Sequence, residues 1–180
     1  MIGHFLERNM KKRFVVRQAR VEDIKQIDSL QLLCYGPDFY EETQAFLNKI
    51  TQPDNLCWVA TEESGELLAY LMCVRATMQN FPCLNCLDYQ QAEQTDTLYL
   101  HDMSIAPSAR GMGIKYELLA SVFQQAQALG LKQAMLVAVQ GAKPIWEKQG
   151  FVVANAQELG LAHVLTSYGE EAVLMMKMLA

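Results

Sequence analysis

The sequence predicts a single α/β domain, and three observations carry that expectation. The length of 180 residues falls within the roughly 100–200 typical of one domain. A composition that is 51% apolar and 19% charged supports a packed core. Strand-like and helix-like periods alternate along the chain. Five prolines and ten glycines are too few for a linker-rich or disordered chain. Met10, followed by Lys11 and Lys12, reads as an alternative start. Residues 1–9 are therefore expected to be a flexible leader and residues 10–180 the domain.

Arg13–Gln18 carries the β-branched pair Val15 and Val16 and reads as a first strand. Val21–Leu33 places Ile24, Ile27 and Leu30 at helical spacing, and Tyr35-Gly36-Pro37-Asp38 breaks that helix. Phe39–Ile50 resumes the helical period. Leu56–Thr61 and Leu67–Ala76, joined by a Gly-containing turn, read as a hairpin. From Thr77 to Thr95 no period could bury a face, so a long loop, mobile in part, is expected to cover a pocket. Thr97–Ile105 is the next strand. After it, Arg110-Gly111-Met112-Gly113 opens an amphipathic helix whose apolar stripe runs from Ile114 to Leu129 and closes at Gly130. Ala134–Val139 reads as a buried strand, Ala142–Gln149 as a short helix, and Gly150–Val153 and Glu171–Leu179 as closing strands.

Fifteen basic against twenty acidic residues give a net charge of −5, a field that repels polyanions, so no nucleic-acid partner is expected. The apolar runs are far shorter than the roughly 20 residues of a membrane span, and the basic start lacks a signal-peptide core. A cytoplasmic protein without membrane attachment is the expectation. Five cysteines make a disulfide framework improbable. Cys83-Leu84-Asn85-Cys86 has redox or metal spacing, but with no second pair and scattered histidines no metal is assigned.

The strand, Arg110, Gly111, Gly113, helix sequence is the informative constellation. A helix N-terminus leaves backbone N–H groups free and carries partial positive charge, so phosphate binds there readily. Glycines admit close approach of a pyrophosphate, and Arg110 adds charge-assisted hydrogen bonds. Tyr116 stands where a dinucleotide fingerprint needs its third glycine, and the nucleoside-triphosphate loop GxxxxGK[ST] is missing. Taken alone, the two glycines are better read as merely a tight strand-to-helix turn.

Arg110-Gly111-Met112-Gly113-Ile114-Lys115, preceded by Ile105-Ala106-Pro107, resembles the R-x-x-G-x-G/A motif of the GNAT superfamily of acyl-CoA N-acyltransferases. Trp146-Glu147-Lys148-Gln149-Gly150-Phe151 is similar to a second motif of that family, Y-x-K-x-G-F. The resemblance extends from about Arg13 to Phe151, with weaker likeness to the arylalkylamine N-acetyltransferase branch around Leu100–Ile105. It implies an α/β fold of the α+β type, with a mixed, mostly antiparallel seven-stranded sheet, splayed central strands and flanking helices. It also implies acetyl-CoA as co-substrate, held by Arg110, Gly111, Met112, Gly113, Ile114 and Lys115. Met103 and Ile105 would pair through their backbones with the pantetheine arm, and the Met103 N–H would polarise the thioester carbonyl. Two residues depart from the pattern. Lys115 stands where the family keeps a small residue, and Trp146 stands where many members carry a tyrosine general acid. An indole has no acidic proton to give, so Trp146 is assigned to packing against pantetheine or core.

Strand alternation sets Tyr99, His101 and Met103 on one side and Leu100, Asp102 and Ser104 on the other. His101 is the first candidate base for an ammonium acceptor, since imidazole titrates in the right range; the alternative is an imidazole satisfied within the sheet. Asp102 divides in the same way. Glu41, with Glu42 beside it, would either hold a cationic amine or sit solvated on a helix's first turn. Tyr116 and Tyr168 are the remaining proton-donor candidates. The expected activity is N-acetylation of a small-molecule or peptide primary amine by direct attack. The competing reading is a non-catalytic acyl-CoA-binding or regulatory domain. Acceptor identity and homodimerisation stay open.

Overall fold

The structure, a computed structural model, describes residues 14–179, so the expected leader lies outside the described residues. Strand β1 (Val15–Gln18) leads through a 3-10 turn into α1 (Ile24–Tyr35) and α2 (Thr43–Ile50). Strands β2 (Trp58–Thr61), β3 (Leu67–Ala76) and β4 (Thr97–Ile105) follow, then α3 (Ile114–Ala128), β5 (Gln133–Ala138) and α4 (Lys143–Glu147). The chain closes with β6 (Val152–Val153), α5 (Ala162–Leu165) and β7 (Val173–Met178). The seven strands form one sheet in the order β1-β2-β3-β4-β5-β7-β6. Every pairing is antiparallel except β4 with β5.

Two features of β4 position everything else. Opposite Met72 and Cys73 the register slips by one: Asp102 pairs with Met72 and Leu100 with Cys73, so His101 is an extra, unpaired residue. Such a bulge bends and twists its strand. The parallel pairing with β5 ends at the same place, covering Thr97–Leu100 against Gln133–Leu136. Beyond it the strands part. The Ala106 N–H donates to Leu68 O at 2.8 Å, so by antiparallel alternation Met103 and Ile105 turn their backbone groups away from β3, toward the gap.

The bulge corrects the expected face assignment. Val74 opposite Tyr99 and Met72 opposite Asp102 lie on one side of β3, so Tyr99 and Asp102 share a face. Met103, opposite Leu71, falls on the other, where Leu71's neighbour Trp58 bonds Gln125 of α3. An unbroken period of two would have separated Asp102 from Tyr99; the extra residue resets it.

Helix α2 begins later than the periodicity predicts. The Gln31 side chain donates to Glu41 O at 2.7 Å and accepts from Glu41 N at 3.0 Å, clamping that residue in a link that is still extended at Glu42. At the other end of the sheet, α5 and the 3-10 turn Thr166–Tyr168 form where the sequence shows no helical period. Helix α3 closes as expected at Gly130, with φ of 74°: Gly130 N–H bonds Gln127 O and Leu131 N–H bonds Ala126 O, at 2.9 and 3.0 Å.

Helix α3 turns Leu118 fully into the core and leaves Tyr116 60% exposed. Leu118→Ala should therefore cost about 2–5 kcal/mol, and Tyr116→Ala should stay within about 0.5 kcal/mol of the parent. Urea unfolding of both variants checks this contrast; equal losses would mean that the helix is rotated from the orientation described.

Candidate functional site

The parting of β4 and β5 opens a cavity of about 320 Å³. Leu100, His101, Asp102 and Met103 of β4 line one wall and Val137 of β5 the other. Tyr35, Phe39 and Glu41 close it from the α1–α2 side, Leu84 from the 77–96 loop, Trp146 from α4 and Tyr168 from the turn before β7.

The buried heart of this cavity is a charged cluster. Glu41 Oε1 lies 2.6 Å from His101 Nε2, while Glu41 Oε2 meets Lys49 Nζ at 3.2 Å and the Asn85 backbone N–H at 2.8 Å. Lys49 is fully buried and also donates to Ala45 O at 3.2 Å. Burial alone would push the Glu41 carboxyl up. The charge His101 carries when its ring is protonated, its hydrogen bond, and then Lys49 and the Asn85 amide overcome that penalty and hold it at about 2. An ionised carboxylate only accepts, so Nε2 is the protonated nitrogen of His101. Nδ1 is then buried with no hydrogen-bond partner among the described residues. A buried polar atom in that state calls for a water or substrate as its partner.

Asp102 does different work. Its Oδ1 accepts the Tyr35 hydroxyl at 2.7 Å and its Oδ2 the Tyr70 hydroxyl at 2.6 Å; Tyr35 also lies 2.9 Å from Met103 O. Burial raises the Asp102 carboxyl, with the negative charge of Glu41 adding to it, against the lowering effect of the two hydroxyls. Burial and the neighbouring Asp102 likewise lift both tyrosines well above their ordinary range, so they stay protonated donors. The carboxylate fixes the end of α1 onto β4.

At the start of α3, Gly111 and Gly113 adopt φ of 80° and 83°, a conformation that strains any side chain. A Cβ at either would meet nothing within 4 Å, so an open cradle lies over the turn. The helix bonds begin with Tyr116 and Glu117 donating to Gly113 O, so in the first turn the Ile114 and Lys115 amides precede the helix ladder. Arg110 is exposed beside them. The side chains of Ile114 and Met112 pack into the core, so these two residues offer the cradle only their backbones. Lys115 Nζ sits 4.9 Å from the centre of the Tyr116 ring. The open, amide-rich cradle and the free backbone edge of β4 fit a phosphorylated group with an extended arm such as CoA.

The structure thus brings His101, Glu41 and Asp102 to one cavity, with Met103 and Trp146 in its walls. Trp146 packs edge-to-face on Phe151 with ring centres 5.5 Å apart. Tyr168 lines the cavity and lies 3.1 Å from the Tyr99 hydroxyl, whereas Tyr116 is exposed at the start of α3 and outside it. Glu41 is neither solvated nor in a helical turn, contrary to the alternative its sequence position suggested, because the Gln31 clamp turns it inward. Lys49, Asn85 and Tyr35 were missed. Lys49 did leave a signal, since a lysine on the apolar face formed by Ala45 and Phe46 needs an anion.

The depressed Glu41 carboxyl sets a pH dependence. Its stabilising contribution is complete above the unfolded value of 4.5 and is lost as pH falls toward about 2. Glu41→Gln should flatten the acid-unfolding profile across that window and lower stability at neutral pH, leaving Lys49 as an unpaired buried cation. Urea midpoints measured for parent and variant from neutral pH down to that window check this; parallel profiles would remove the assigned ionisation.

Among the described residues, no helix is long and apolar enough to cross a membrane. No curated protein matches the chain in sequence. Similar solved structures share its fold. Ard1 from Thermoplasma volcanium is 12% identical, with a TM-score of 0.70 covering 93% of this chain and 99% of that one. The ribosomal-protein-S18-alanine N-acetyltransferase from Escherichia coli is 14% identical, with a TM-score of 0.66 over 93% and 94%. The N-acetylglutamate synthase from Neisseria gonorrhoeae, complexed with coenzyme A and N-acetyl-glutamate, is 16% identical, with a TM-score of 0.68 over 93% of this chain and 35% of that one. The model of the acetyltransferase (GNAT) family matches residues 22–151, and the chain belongs to that family of acyltransferases.

Proposed function

We propose that the protein is an acetyl-CoA-dependent N-acetyltransferase that acetylates a primary amine by direct attack on the thioester. The observation that carries this reading is the buried Glu41–His101 pair at 2.6 Å, set where β4 leaves β5 and with an unpartnered imidazole nitrogen. Acetyl-CoA supplies the activated acyl group when bound. In this reading the first-turn amides of α3 and Arg110 hold its phosphates, the backbones of Met103 and Ile105 hold its arm, and Trp146 packs beside it. The Met103 N–H, turned toward the gap, polarises the carbonyl oxygen.

His101 Nδ1 takes the proton of the acceptor ammonium, directly or through one water, so that the amine lone pair is free to attack. Glu41 keeps the ring oriented and stabilises the imidazolium that results. Lys49 offsets the charge of Glu41, so the cluster starts near neutrality and ends with one positive charge. Asp102 serves as a positioning residue, since both of its oxygens are committed to tyrosines.

Gly113→Asp puts a side chain and a negative charge into the cradle, and should weaken CoA binding by calorimetry at least about tenfold, equivalent to ~1.4 kcal/mol. Gly113→Asn, which tolerates the left-handed backbone, separates charge from strain and should lose less. Equal, parent-like affinities would move CoA elsewhere. His101→Ala should retain CoA binding, lower kcat by roughly 10²–10⁴ and remove the acid limb of kcat/KM with a panel of amines. Parent-like rates would leave His101 structural, and CoA binding without turnover of any amine would favour the non-catalytic alternative.

A further inference from the structure

The Cys83-Leu84-Asn85-Cys86 segment is the one sequence motif that the proposed chemistry leaves unused. In the structure it is a tight turn centred on Leu84 and Asn85, with Asn85 in the left-handed region at φ of 55°. The first and fourth residues of such a turn lie within about 7 Å of each other at Cα, which overlaps the roughly 4.4–6.8 Å that a disulfide spans. Cys83 is exposed and Cys86 half-buried, whereas Cys57 and Cys73 are shut in the core. Among the described residues no group of three or more metal-ligating side chains forms.

What sits between the two cysteines gives the turn its importance. Asn85 donates its backbone N–H to Glu41 Oε2 at 2.8 Å, and its Oδ1 accepts the Glu42 N–H at 2.8 Å. Leu84 lines the cavity. The turn is therefore a strap across the entrance to α2 that holds the carboxylate on which His101 leans. We infer that Cys83 and Cys86 are a thiol-oxidation site, forming a reversible disulfide that fixes this strap over Glu41.

The oxidant class is a low-molecular-weight disulfide such as oxidised glutathione. The Cys83 thiolate attacks one glutathione sulfur, forming a mixed disulfide and releasing glutathione thiolate. The Cys86 thiolate then attacks Cys83 Sγ, closing the ring and releasing the second glutathione. Two protein thiols are oxidised, one glutathione disulfide is reduced, and the two thiol protons pass to the released thiolates. A turn of this kind keeps its end residues within reach of a disulfide, so closure removes its open alternatives and keeps the Asn85 amide on Glu41. The oxidation state thereby reaches the candidate base through two hydrogen bonds, Asn85 to Glu41 and Glu41 to His101.

The test equilibrates the full chain in glutathione buffers of graded ratio, then reads peptide masses and amide hydrogen exchange. The expected result is a fragment holding both cysteines that has lost two hydrogens. Exchange at Asn85 should be slower by about tenfold or more, reversed by reductant and unchanged by oxidant in Cys83→Ser and in Cys86→Ser. Glutathione left attached to Cys83, or a disulfide with parent-like or faster exchange at Asn85, would overturn the inference. Neither readout requires turnover, so the outcome is independent of the acetyltransferase reading.

Discussion

The extra residue in β4 is the constraint on which the site depends. If His101 were paired like its neighbours, β4 would continue in register with β3. The slip ends that register where the parallel partner β5 also departs, and three consequences follow together. The backbone edge of Met103 and Ile105 faces a gap, a cavity opens between the strands, and His101 and Asp102 both line it. A bulge leaves one residue without ladder bonds, and here that residue is the one whose side chain makes the shortest contact to Glu41.

The electrostatics of the cavity follow from what the bulge points at. An isolated carboxylate at the burial of Glu41 would neutralise itself by taking a proton. Lys49, the Asn85 amide and the His101 N–H prevent this by supplying a cation and two donors, so the charge persists inside the fold. These partners come from α2, from the 77–96 loop and from β4, so the cluster ties together three parts of the chain that are distant in sequence. Asp102 binds a second set, α1 through Tyr35 and β3 through Tyr70. The two carboxylates share a cavity yet do opposite jobs. One keeps an imidazole oriented, and the other is saturated by hydroxyls that anchor a helix end.

Most of the fold was legible because its signals are local. Strand Thr97–Ile105 was read with its true bounds, and α3 announced itself through a long apolar stripe closed by Gly130. The cradle is visible as glycines beside an arginine, and the likeness to a known family implies a CoA-binding role for them. What escaped depends on contacts between distant residues. Nothing in the period-two pattern of β4 marks His101 as a bulge, because a slip shows only against the partner strand. Nothing near Glu41 shows that Gln31, ten residues earlier, clamps its backbone and turns its carboxylate inward. Residues 77–96 carry no period at all, so the role of Asn85 appears only once the loop lies against α2. The short helix before Tyr168 is a single turn, too brief for a periodic signal.

The central claim is that an ionised Glu41 fixes His101 with Nε2 protonated and Nδ1 free to receive a proton. Nitrogen NMR of the histidine-labelled protein at neutral pH tests it directly, with His101→Gln supplying the assignment. The account expects that the ring, when it carries one hydrogen, carries it on Nε2, and that it becomes a tautomeric mixture once Glu41 is replaced by Gln. A His101 ring carrying its hydrogen on Nδ1, or one indifferent to the loss of the Glu41 charge, would contradict it.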